Sequence, residues 1–317
     1  MRHKQFSHIH QTLTMLNGAA FDAWLAFIQK WQLNDLVKIE GSLLVAEKSD
    51  TFDKLSQHSD YLNGIGVQNQ LIEQAELLKR EPALSPSQIG GIFYPNTGHV
   101  IDLVELHKKL TYEFLLAGGS VLTQCEVTAI ASTSNKEAVL TTTQGTFSGQ
   151  KVVIAGGAFS KSLVKMVSRI NVPLETERGY HLMLPQEHGR LTIPVSSMDR
   201  RFIMTPMSGG LRLAGTVEYA GLKRPANMQR ARHLLPLAEP MLNTPLSSHQ
   251  STQWMGFRPS TSDSLPVIDH KGPYIFAFGH QHLGVTQAAI TAELVSCLIN
   301  EQATPIDCSP FSIERFL

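Results

Sequence analysis

The chain has 317 residues, with 27 Lys plus Arg balanced by 27 Asp plus Glu, so it lacks the basic excess that a nucleic-acid surface requires. Its 42% hydrophobic content is that of a folded globular protein, and no apolar run approaches the roughly 18 residues of a transmembrane segment. Cys125, Cys297 and Cys308 form no CxxC pair, which points to a reducing, cytoplasmic setting, compatible with peripheral contact with an inner membrane.

Residues 7–31 place Leu13, Leu16, Ala20, Trp24, Phe27 and Trp31 at helical spacing. A strand is expected over 37–45 and a helix over 69–80, ending before Pro82. A short strand then leads to a turn at Asn96 to Gly98, and a helix from Asp102 to Leu116 starts on a capping carboxylate. From 119 the pattern becomes strands, with a hairpin turning at Gln144-Gly145. The apolar run Val152 to Ala155 feeds Gly156-Gly157 and a helix from Lys161, as a parallel strand does where it delivers its carboxyl end to a ligand. Residues 172–258 alternate like an antiparallel sheet around a helix near 227–240. LPVID and YIFAFG then read as strands before a helix from Val285 to Asn300. Antiparallel blocks interrupting parallel elements predict two interleaved domains, with segments 1–97 and 172–258 in one and 98–171 and 259–317 in the other.

Three groups of residues carry chemistry. In WMGFRP, period two puts Trp254, Gly256 and Arg258 on one face, where a guanidinium can hold a carboxylate in bidentate fashion. The alternative for Arg258 is an internal salt bridge to Asp263 or Glu218. In GHQHLGVT, Gly279 to Thr286 end a strand and start a helix whose free amides suit an anion or a carbonyl; an ordinary glycine connection is the alternative. Tyr180 and His181 are adjacent on a strand, so at most one of them faces a given pocket.

Other motifs are excluded. GIGVQN at 64–69 lacks the third glycine of a dinucleotide fingerprint, Val285 stands where a P-loop needs lysine, and there is no GxSxG elbow. The pairs His8/His10 and His280/His282 lack a third ligand, so no metal is expected.

Taken together, VVIAGGAFS, ERGYHLMLP, RFIMTPMSGGLRLAGTVEYAGL, WMGFRPSTSDSLPVI and FAFGHQHLGVTQAA resemble the FAD-dependent D-amino-acid oxidase superfamily, in particular its bacterial D-amino-acid dehydrogenase and glycine oxidase branches. The resemblance implies an α/β fold with a Rossmann-like FAD-binding domain of glutathione-reductase type and an antiparallel substrate domain. It implies FAD as cofactor, an amino acid as substrate and a quinone or other electron acceptor. Arg258 would grip the substrate carboxylate, with Tyr180 a further pocket residue. Val127, Ala155, Gly156, Gly279, His280, Leu283, Gly284, Val285 and Thr286 would meet FAD. The family's opening strand, GxGxxG and helix have no counterpart here, so the expectation is an N-terminally shortened domain. The expected reaction is oxidative deamination of a D-amino acid to a 2-oxo acid and ammonia by hydride transfer to flavin. The alternatives are a non-catalytic remnant or split-protein half that binds a partner or a second copy of itself, and a sarcosine- or proline-type secondary amine oxidase.

Overall fold

The structure is a computed structural model describing residues 2–133 and 137–317, with side chains from residue 8 onward. In chain order its first elements are α1 (Arg2–Trp31), β1 (Val37–Lys38), β2 (Ser42–Ala46), α2 (Ser49–Gly64), β3 (Gln70–Glu73), α3 (Gln74–Arg80), β4 (Gly90–Tyr94), β5 (His99–Val100) and α4 (Leu103–Leu116). The middle holds β6 (Val127–Ser132), β7 (Ala138–Thr142), β8 (Gly145–Gly149), β9 (Val152–Ile154) and α5 (Ser160–Val167). There follow β10 (Leu174–Leu184), β11 (Val195–Ser197), β12 (Phe202–Met207), β13 (Gly210–Tyr219), α6 (Gln229–Arg232) and α7 (Leu235–Ala238). The chain closes with β14 (Thr252–Thr261), β15 (Val267–Lys271), β16 (Tyr274–Phe278) and α8 (Ala288–Ile299).

An eight-stranded sheet in the order β14-β10-β13-β12-β11-β2-β4-β3 dominates. Every pairing in it is antiparallel except β11 with β2, whose residues lie far apart in the chain. One face buries Leu43, Val45, Leu182, Leu184, Met204 and Leu213 among the residues that form the largest core. A second sheet, β15-β16-β9, pairs β9 and β16 in parallel, so both strands open their carboxyl ends at the same side. The meander β6-β7-β8 packs beside it, through Ile130 and Ala138 against Ile154 and Phe276. α1 packs through Leu16 and Ala20 on Ile290 and Leu294 of α8, which ties the first helix to the C-terminal segment rather than to the large sheet.

Several elements differ from the sequence expectation for identifiable reasons. The strand expected over 37–45 is broken at Gly41, whose φ of +90° and contact with the Phe93 ring admit no Cβ. The helix expected over 69–80 begins only at Gln74, because Gln70–Glu73 completes the sheet edge on β4. α2 was not visible as a periodic pattern, since it buries only Leu55 and Ser59. The helix expected near 227–240 is two short turns, α6 and α7, with Pro236 in the opening turn of α7 and Pro240 beyond it. Asp102 caps α4 as expected, accepting from the Val104 and Glu105 amides at 3.0 Å each.

Candidate functional site

The site is built on one face of β10. Its register with β14 sets Glu177 opposite Arg258, Gly179 opposite Gly256 and His181 opposite Trp254. Opposed residues project to the same side, so these six positions form one patch. Glycine at both central positions makes the floor. A Cβ on Gly179 would lie 2.4 Å from Arg258 Cζ, so the guanidinium rests directly on that residue. A Cβ on Gly256 would lie 2.0 Å from the Trp254 ring, so the indole folds over the neighbouring glycine. The space between Trp254 and Arg258 is therefore filled by the indole itself.

Arg258 is half-buried and makes no ion pair among the described residues. The carboxylates considered for it from sequence are engaged elsewhere: Asp263 with Arg315 at 2.7 Å, Glu218 with Arg178 at 3.7 Å and Arg230 at 3.5 Å. Burial holds the Arg258 guanidinium below its ordinary range, opposed by the Glu177 charge. Glu177 itself accepts from the Tyr219 hydroxyl at 3.0 Å.

His181 stacks on Trp254 with ring centroids 5.0 Å apart and planes 19° from parallel. A register shift between Tyr180 and His181 sets His181 opposite Ala214 of β13. Burial, and then the Arg212 charge, push the His181 pKa down to about 4, so the imidazole is neutral near pH 7. Tyr180 points the other way. Its hydroxyl donates to Glu218 at 2.6 Å and accepts from the Asn227 amide at 3.1 Å, which corrects its expected place in the pocket. Of the two adjacent residues, His181 lies on the Arg258 face.

The second motif adjoins the first. A bridge between Ser260 and His280 joins the end of β14 to the loop after β16. Gly279 takes φ +87° there, with the Thr261 methyl 2.9 Å from where a Cβ would stand. His280 Nε2 lies 3.0 Å from Thr291 Oγ1, and desolvation pushes its pKa down to about 4. Leu283 is partly buried, whereas Gly284, Val285 and Thr286 are exposed, and none of these last three donates its amide to any described residue. Trp24 Nε1 donates to both the Val285 and Thr286 carbonyls at 3.0 Å. Because N–H and C=O of a trans peptide point in opposite directions, the bond to the Val285 carbonyl turns the Thr286 amide away from the indole. Residues 285–286 also line a cleft of about 410 Å³ together with Asn17, Trp24 and His99.

Ala155 and Gly156 are exposed at the carboxyl end of β9, beside the end of β16 that carries Gly279. Val127 opens the meander strand β6, partly buried and paired with Thr142. Sequence reasoning missed Trp24, whose helical spacing marked it as an ordinary core residue, and Arg212. Arg212 is legible in hindsight as a charge within the apolar alternation of LRLAG. Burial and the nearby Arg258 charge hold it below the ordinary arginine range.

The model of a family described as FAD dependent oxidoreductase matches residues 3–298. A D-amino-acid oxidase of Bradyrhizobium diazoefficiens is 33% identical over 260 residues, which span 80% of this chain and 61% of that protein. The chain thus spans less than two thirds of that relative's length. The glycine oxidase of Geobacillus kaustophilus is 29% identical over 291 residues, covering 88% of this chain and 74% of the relative. Its crystal structure superimposes with a TM-score of 0.84, covering 96% of this chain and 84% of the other at 26% identity. A D-amino acid dehydrogenase of Vibrio atlanticus is 26% identical over 292 residues, covering 88% of this chain and 68% of that protein.

Proposed function

The chain belongs to the FAD dependent oxidoreductase family, and from that premise we propose that it oxidises the CH–NH bond of a small amino acid, a D-amino acid in the first place. The observation that carries the reading is the half-buried Arg258, which lies on a glycine floor, forms no ion pair among the described residues and is joined through Ser260 and His280 to a loop of free amides. A lone guanidinium in that state favours a carboxylate, and a bidentate pair fixes the carboxylate's orientation as well as its position.

The residues present fit the flavin end of FAD. The unbonded amides of Gly284, Val285 and Thr286 stand beside α8, where hydrogen-bond donors and the helix terminus favour a carbonyl or anion. Gly279, His280, Leu283, Ala155 and Gly156 lie around the parallel strand ends where such ligands sit, and Val127 would extend the contact toward the adenine end. A glycine-rich pyrophosphate fingerprint is not among the 317 residues. FAD, when bound, would supply the acceptor for the hydride of the Cα–H bond, which carries both electrons, while the amine nitrogen gives up its proton to solvent. Arg258 holds the carboxylate and thereby aims the Cα, an orientation effect that requires no general base. The neutral His181 and the Trp254 indole close the side of the patch away from Arg258. The resulting imine, on hydrolysis in water, gives a 2-oxo acid and ammonia.

The test is turnover of the flavin-loaded protein on D-alanine, glycine, sarcosine and L-proline, with oxygen and with a soluble quinone as alternative acceptors. Of these four D-alanine is expected to be fastest, with the quinone the better acceptor, in keeping with the D-amino acid dehydrogenases among the relatives. Preference for sarcosine or proline would move the reading to a secondary amine oxidase.

One observation favours a second reading, that of a binding half. β9 pairs on one edge only, leaving Val153 exposed, and α4 exposes Leu103, Val104, Tyr112, Phe114, Leu115 and Leu116. An open strand edge is a template for another strand, and an exposed apolar helix face is a surface for a partner. On this reading a separate glycine-rich nucleotide-binding unit completes the sheet, and the chain alone retains no FAD. Stoichiometric yellow absorbance in the chain purified by itself would rule it out. Among the described residues no helix is long and apolar enough to cross a membrane.

A further inference from the structure

Among the described residues, six arginines that are not fully exposed sit in ion pairs: Arg80, Arg178, Arg190, Arg200, Arg230 and Arg315. Arg258 and Arg212 are the exceptions. Neither has an ion pair or a side-chain hydrogen bond within the fold, and the Arg212 Nε is buried with no acceptor. Such a cation loses hydration without gaining a partner, a costly state that a bound anion relieves.

The two belong to one surface. Arg212 lies opposite Met183 on β10 and Arg258 opposite Glu177, and alternation puts Glu177, Gly179, His181 and Met183 on the same face. Six strand positions separate the paired residues, about 20 Å of backbone, but the side chains converge. The Arg258 guanidinium lies over Gly179, two positions toward Arg212. The Arg212 charge acts on His181 and His99, and is itself acted on by Arg258. Glu177 and Glu40 are the carboxylates facing the cluster, the first bonded to Tyr219 and the second set against His99, and neither forms an ion pair. Two converging cations that form no ion pair among the described residues suit a ligand with two separated negative charges better than one with a single charge.

Resting on the carboxylate-clamp reading above, we propose that the preferred substrate is a dicarboxylic amino acid, with Arg258 holding the α-carboxylate and Arg212 the side-chain carboxylate. Arg212 is then a specificity residue that acts on binding.

D-glutamate and D-glutamine test this directly, since they share size and α-carboxylate and differ in the distal charge. Their dissociation constants are measured by calorimetry on the full chain and on Arg212→Met, Arg212→Lys and Arg258→Met, each checked for an unchanged melting temperature. D-glutamate is expected to bind at least about tenfold tighter than D-glutamine, a difference of about 1.4 kcal/mol. Arg212→Met should erase that preference by weakening D-glutamate far more than D-glutamine, and Arg212→Lys should keep part of it. Equal binding of the two ligands, or a preference that survives Arg212→Met, overturns the proposal. If Arg258→Met weakens both ligands while no glutamate preference exists, only the second-anion inference falls. If Arg258→Met leaves D-glutamine unchanged, the carboxylate clamp itself falls, and failure of the wild-type chain to bind either ligand overturns both.

Discussion

The two faces of β10 carry comparable chemistry and treat it in opposite ways. On one face Arg178 is fully buried, with its guanidinium donating to the carbonyls of Gly221 at 2.8 Å and of Ala220 and Pro225 at 3.3 Å each. Tyr180 and Glu218 complete that network and tie the 220–227 segment to the sheet. On the other face Arg258, Arg212, Trp254 and His181 meet no comparable network, although the same strand alternation positions them. A polar group satisfied inside the fold contributes to stability, whereas one left unsatisfied on a rigid sheet is available to a ligand. The sheet around β10 therefore divides its arginines, with Arg178 on one face holding the structure and Arg212 and Arg258, from β13 and β14, on the other face free to hold something else.

The largest expected effect breaks the ligand side. In the flavin-loaded protein Arg258→Leu should lower kcat/KM for amino acids by about a thousandfold, near 4 kcal/mol for two charge-assisted hydrogen bonds. Its urea midpoint should stay within error of the wild type, because the residue has no partner in the fold. Arg178→Met should do the reverse, costing about 3 kcal/mol of unfolding free energy by leaving buried carbonyls and part of Glu218 unpaired. Both are read by chemical denaturation alongside steady-state kinetics.

Acid should also act on the ligand side. His181 and His280 have folded pKa values of about 4, below the unfolded value of 6.5. The unfolded chain therefore binds more protons between these limits. Stability from this source is complete above pH 6.5 and is lost as pH falls toward 4, by roughly 2 to 3 kcal/mol from the deeply placed His280 and less from the more exposed His181. Denaturation at stepped pH should show that loss shrinking in His280→Phe. Smaller still, Gly179→Ala places a methyl against the Arg258 guanidinium, and since that neighbour is a flexible side-chain end the fold should tolerate it. KM should rise about tenfold, near 1.4 kcal/mol, with little change in Tm. Tyr180→Phe should cost about 1 kcal/mol of stability and leave substrate kinetics unchanged, and altered kinetics would show that the two faces are coupled.

Period-two alternation was enough to place Trp254, Gly256 and Arg258 together and to set Tyr180 and His181 on opposite faces. It could not say which of the pair faced Arg258, because that depends on which side of β10 receives the 220–227 segment. Nor could local pattern show that Asp263 and Glu218 were already engaged, since their partners Arg315 and Arg178 lie 52 and 40 residues away by chain numbering. α2 escaped detection for a different reason. A helix that fully buries Leu55 alone among its apolar residues, with Phe52 only partly covered, leaves hardly any periodic stripe to read.

Trp24 links the N-terminal helix to the Val285 and Thr286 carbonyls, more than 260 positions along the chain. The protein has three tryptophans, and Trp24 and Trp254 stand at the two ends of the site. Its ultraviolet emission is consequently an optical gauge built into the molecule: a yellow chromophore seated on the 284–286 amides would quench Trp24 by energy transfer, and a ligand filling the arginine patch would shift the emission of Trp254.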